Sequence, residues 1–176
     1  MTIAPDTKDW TWVLERPCPQ CGFDASSFPA AAVPARIRAD LPAWEARLAQ
    51  ADARMRPDET TWSALEYGAH VRDVFRLFRV RLDLMLTEDD PLFANWDQDA
   101  TALADRYDLQ DPAVVARELG EAGEALAAAF ERVDGAEWER PGRRGDGARF
   151  TVESFAQYFI HDPVHHLWDV THTRAA

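Results

Sequence analysis

Three of the chain's five histidines fall within six positions near its end, in the stretch FIHDPVHHLWDV, residues 159–170. His161 and His165 are four residues apart. On a helix they stand one turn apart on one face, ~6 Å along the axis, where two imidazoles can share an ion. A third ligand has to come from elsewhere, and His70 is the histidine set deep inside another helical stretch. It shares a stripe with Tyr67, Val74 and Leu77, while His161 and His165 continue the line of Ser154, Tyr158 and Trp168. Three inward imidazoles from two helices form a set that leaves coordination positions open to water or substrate. Asp73 and Asp169, three after His70 and four after His165, are within helical reach of the second ring N–H of these histidines. The competing reading is a metal-free core: single inward histidines are often just hydrogen-bonded, and HxxxH pairs arise by chance. His166 and His172 point to other faces of the wheel and are expected to be exposed or locally bonded.

Pro163 lies between the paired histidines. It offers no N–H to the carbonyl of Phe159, and its ring presses on that turn, so a kink, a π-bulge or a restart is expected there. A restart with Asp162 as N-cap would swing His161 out of register. Near the other end, CPQC places Cys18 and Cys21 ahead of Gly22, half of a zinc knuckle with no second half evident in the sequence. A reduced, structural or redox-sensitive pair is the favoured reading, and metal shared with a neighbouring subunit the alternative.

The elements that must position these residues are helices. Ile37, Leu41, Trp44 and Leu48 recur at helical spacing over residues 33–55, with Pro34 in the first turn and Pro42 as a bend. Ser63 and Glu66 can form a capping box opening a second helix that runs to Leu86 with a wide apolar face. Asp111 and Pro112 start a third, ending near Gly135, and Thr151 caps a fourth. Between the second and third, TEDDPLFANWDQDATALADRYDLQ is too long for an ordinary bundle connection and holds a short helix, a functional loop or both. Trp96 and Tyr107 on it could line the mouth of a pocket. RPGRRGDGARF reads as a turn or short hairpin, with Arg143 and Arg144 as a solvated pair; no other strand signal is convincing. The expected fold is all-α: an irregular N-terminal extension over residues 1–32, then a four-helix bundle with a long crossover loop over 33–176. Such bundles build metal sites from facing helices.

A formal charge of -12 on 176 residues argues against nucleic acid and anionic membrane surfaces as partners, leaving a small-molecule substrate. No signal peptide or membrane-spanning run is evident, and a cytoplasmic protein with reduced thiols is expected. An apolar bundle face permits a homodimer, though no heptad extends far enough to define one. There is no glycine-rich phosphate loop, nucleophile elbow or HExxH.

His70 on the second helix, the loop PLFANWDQDATALADRY, and HDPVHHLWDV preceded by RRGDGARFT together resemble the DinB-like metal-binding bundle superfamily over roughly residues 35–172. The resemblance implies a four-helix bundle holding a divalent ion, zinc or nickel, on three histidines, matched here by His70, His161 and His165. It also implies kinship with mycothiol- or bacillithiol-dependent S-transferases, with mycothiol-dependent maleylpyruvate isomerase, and with metal-dependent hydrolases. The leading expectation is thus an enzyme acting on a low-molecular-weight thiol or water through a His-bound divalent ion. A non-enzymatic module holding a small ligand in the same pocket is the alternative.

Overall fold

The computed structural model describes residues 9–172. Four long helices carry it: α1 (Val33–Leu48), α2 (Ala64–Thr87), α4 (Pro112–Phe130) and α5 (Val152–His172), with a short α3 (Gln98–Ala104) in the crossover. α4 packs along both α1 and α2, and α5 closes the bundle against the same pair. The core follows the apolar stripes. Phe78 stacks on Phe155 and lies against Phe159, while Leu65, Phe75, Leu82, Leu119 and Phe130 are fully buried around them.

The helix starts follow the sequence closely. Asp111 accepts from the N–H groups of Ala113 and Val114 ahead of Pro112, whose missing N–H is one that the first turn could not have paired within the helix. Ser63 and Glu66 form the expected box at α2. Glu66 is buried, accepts from the Ser63 N–H at 2.9 Å, and is held by the Arg56 guanidinium. Burial pushes its carboxyl up, but the Arg56 and Ser63 hydrogen bonds outweigh this and hold it below its ordinary value. Because the folded value is the lower one, the stabilisation is present above the unfolded carboxylate value of about 4.3 and is lost as pH falls through the folded value. Glu66→Ala leaves a buried N–H and a guanidinium without their acceptor, and should cost about 2–3 kcal/mol in urea denaturation at pH 7. The difference from the parent protein should shrink as pH falls below about 4.

Three expectations change. α1 ends at Leu48 rather than Met55, with Pro42 inside it. α5 runs unbroken through Pro163, with no restart at Asp162, so His161 stays in helical register. Phe159, Ile160, His161, Val164 and His165 are all buried around the proline, and that packing offsets the one hydrogen bond it removes. The description all-α also needs amendment: β1 (Leu92–Phe93), β2 (Pro141–Arg144) and β3 (Arg149–Thr151) form a small sheet in that order. β2 and β3 are the hairpin, while β1 lies parallel to β2 with Leu92 opposite Arg143 and Phe93 opposite Arg144. Two residues carry no readable period, so β1 exists only through its partner.

The sheet ties the crossover to the end of the bundle. Gly145 N–H donates to the Phe93 carbonyl at 3.0 Å, and the Arg140 guanidinium donates to the Met85 and Glu88 carbonyls at the C-terminus of α2. Asn95, Trp96 and α3 are thereby held over the inner ends of α2 and α5. At the other side the extension lies on α5. A 3₁₀ turn at Trp10–Leu14 buries Val13, Cys18 is buried beyond it, and Gln157 on α5 donates to the Phe28 carbonyl at 3.0 Å. Among the described residues no helix is long and apolar enough to cross a membrane.

Candidate metal centre

α5 presents two ligand pairs, not one. His161 and His165 form an i, i+4 pair, and Asp162 and His166 form another, displaced by one residue and hence by about 100° around the helix. The first pair faces the N-terminal extension. Cys18 Sγ lies 3.7 Å from His165 Nδ1, and Cys21 Sγ lies 3.8 Å from His161 Nε2. The second pair faces α2, where His70 Nε2 is 3.4 Å from Asp162 Oδ2, and His166 Nε2 is 3.8 Å from the same oxygen. Within each set, Cys18–Cys21–His161–His165 and His70–Asp162–His166, one donor atom per residue lies within 4.8 Å of the others.

The sequence-predicted trio of His70, His161 and His165 is therefore divided between two groups of donor atoms. His166, expected on another face, stands beside His70 with ring centroids 5.0 Å apart. Asp162 was read as a potential cap, and its role as a possible ligand was missed. Its signal in the sequence is a carboxylate inside the apolar run FIHDPV. The second half of the CPQC knuckle, absent by spacing along the chain, is supplied in space by the paired histidines. His172 is exposed, as expected.

Asp169 links the two groups. Taking His161 as zero, it sits about 80° round the wheel, between His165 and the Asp162/His166 pair. Its Oδ2 is 3.6 Å from His165 Nε2 and 3.0 Å from His166 Nδ1, so one carboxylate faces an imidazole of each set. Asp73 does not play the matching part for His70. It accepts from Arg72, from Arg76 and from the Tyr107 hydroxyl at 2.6 Å. Tyr107 is itself buried in the core, away from a pocket mouth.

His70 lies between two indoles, stacked on Trp96 at 5.4 Å and tilted against Trp62 at 5.6 Å. Its Nδ1 and the Oδ1 of Asp162 are buried polar atoms with no hydrogen-bond partner among the described residues. A cation beside Oδ2 could also engage Asp162 Oδ1, whereas His70 Nδ1 lies across the ring from Nε2 and would need a different partner. Partial burial pushes the Asp162 carboxyl up, but the His70 and His166 imidazoles more than offset it and hold it well below the usual carboxylate range. Burial, helped by His165, pushes the His161 imidazole down to about 4, so the ring is neutral at pH 7. Burial pushes the Cys21 thiol up to about 11.

A cavity of about 540 Å³ opens on the histidines, bounded by Trp96 and α3 on one side and by Arg81, Arg144 and Tyr158 on another. Asp162 and His166 line it, with side chains 31% and 19% exposed. Arg144 is not the solvated residue expected from the sequence: its side chain is 14% exposed and donates to the Tyr158 hydroxyl at 2.8 Å. Arg81 is buried, donates to the Ala94 carbonyl at 2.7 Å, and its Nε has no partner among the described residues. Burial, with Arg144 nearby, pushes its guanidinium down to about 10, still cationic at neutral pH.

The solved structure of YfiT from Bacillus subtilis is similar to this fold, with a TM-score of 0.63 and 16% identity over 97% of this chain and 93% of that one. It is described as a probable metal-dependent hydrolase with an unusual four-helix bundle topology. No curated protein matches the chain. The family model of the DinB superfamily matches residues 35–170, and with that match spanning the whole bundle, this chain belongs to the DinB superfamily.

Proposed function

We propose that the protein is a metal-dependent enzyme whose divalent ion is held by His70, Asp162 and His166. The observation carrying this reading is a two-imidazole, one-carboxylate set of which Asp162 and His166 line a half-open cavity. Zinc with ligand bonds of 2.0–2.2 Å at tetrahedral angles sets adjacent nitrogen and oxygen donors about 3.3 Å apart, close to the spacing of His70 and Asp162. Three protein ligands leave a position for a substrate atom, as in catalytic rather than structural sites. Zinc or nickel suits these donors. A divalent ion there would lower the pKa of a thiol or water it coordinates, supplying a nucleophile at neutral pH.

The chain's own residues do the rest. Trp62 and Trp96 fix the His70 ring and keep water from its faces. Asp169 takes the Nδ1 side of His166 and turns Nε2 toward Asp162. Arg144 is paired with Asp146, whereas Arg81 has only the Ala94 carbonyl and an unpartnered Nε among the described residues, so Arg81 is the cation read as receiving an anionic group of a small-molecule substrate. The kinship of the superfamily with thiol-dependent enzymes favours S-transfer or isomerisation on a low-molecular-weight thiol over hydrolysis.

Titration of zinc-loaded protein with mycothiol, bacillithiol or glutathione should show binding that His70→Ala abolishes, with product formed when an electrophile is added. Product without thiol would indicate a hydrolase, and thiol binding without any product a carrier module. Neither binding nor turnover would overturn the enzymatic reading. Arg81→Met should weaken a carboxylate-bearing ligand tenfold or more, about 1.4 kcal/mol, while barely changing that of a neutral analogue.

A further inference from the structure

We propose that Cys18, Cys21, His161 and His165 form a second, structural zinc site that fastens the N-terminal extension to α5. Four donors converge there, two thiols from a tight turn and two imidazoles from one helix face, in the C-x₂-C and H-x₃-H spacings of Cys₂His₂ zinc sites. The distances fit. Zinc with sulfur at ~2.3 Å and nitrogen at ~2.0–2.1 Å puts these atoms about 3.6 Å apart in a tetrahedron, and the two measured pairs are 3.7 and 3.8 Å apart.

The turn is built for it. Gly22 N–H donates to the Cys18 carbonyl at 2.9 Å, and Cys18 N–H to the Phe23 carbonyl at 2.9 Å. Gly22 closes the loop at φ +73°, where a side chain would be strained. Both thiols are free of disulfide. Cys18, His161 and His165 are 2%, 4% and 6% exposed, and Trp10 covers the two imidazoles with ring centroids at 5.6 and 5.5 Å. Three of the four ligands are buried and Cys21 is partly so, and four protein ligands fill a tetrahedral zinc and leave no position for substrate, unlike the three-ligand His70 set. Charge balances as well: zinc binding releases two thiol protons, and two thiolates with two neutral imidazoles leave no net charge to bury.

The test is cobalt substitution of the full chain, followed by spectroscopy and metal analysis. Wild-type protein should hold two cobalt ions and show a sulfur-to-cobalt charge-transfer band in the near ultraviolet with intense tetrahedral ligand-field bands. His70→Ala should lose one ion and keep the charge-transfer band; Cys18→Ser with Cys21→Ser should lose the band and keep one ion. Since the serine variants could fold poorly, wild-type thiols are also titrated with a disulfide reagent. They should be unreactive in zinc-loaded protein and become reactive with chelator, as Tm falls by about 10 °C or more. No charge-transfer band in folded, cobalt-loaded wild-type protein, or thiols equally reactive with and without zinc, would overturn the proposal. Loss of binding at His70 alone would leave it standing, so its failure and that of the catalytic reading are separable.

Discussion

Asp169→Ala is expected to loosen metal at both sites at once, by roughly 10–100-fold each. A ligating imidazole holds its orientation and basicity by giving the second N–H to a carboxylate, and here one carboxylate oxygen faces the outward nitrogens of His165 and His166 together. Removing it frees both rings to rotate without touching any donor atom. Competition with a chromophoric chelator would resolve the two affinities, and Asp169→Asn should fall between, since its amide oxygen keeps an acceptor facing the rings but carries no charge. A change confined to one site would show that Asp169 orients a single imidazole.

His70→Ala should lower retention of the cavity-facing ion by on the order of 10²-fold or more, because Asp162 and His166 remain as two ligands from one helix and the contribution of α2 is gone. Turnover should disappear with it. The substitution also empties a space between Trp62 and Trp96 and removes a partner of Asp162, costing about 1–3 kcal/mol of apo stability. Metal content should fall from two ions to one per chain. Protein that stays active and fully loaded without His70 would place the reactive ion elsewhere.

The helices were legible because their signals are local. The Ser63–Glu66 box, the Asp111–Pro112 start and the apolar stripe of α2 each sit within a few residues of one another, and each forms as read. The candidate metal ligands were legible only as types. An HxxxH pair and a matched DxxxH pair overlap in the same turn of α5, and a search for histidines sees the first and passes over the second. Which pair turns toward α2 is decided by the rotation of α5 about its axis, a tertiary quantity that no local spacing records. The Cys pair posed the same difficulty at greater range, since its partners are 140 and 147 positions away. Pro163 misled in the other direction: a local rule against helix continuation was overridden by the burial of its neighbours.

Those long separations bear on how the protein is made. A ribosome makes the cysteine pair 140 or more residues before the histidines that meet it, so the two cannot come together until α5 has emerged. Until then both thiols stand open to oxidants, and a nascent chain stalled before position 161 would carry helices α1, α2 and α4 yet have nothing to latch onto. Joining segments so far apart in the chain makes synthesis of α5 a condition for securing the extension that carries the cysteines.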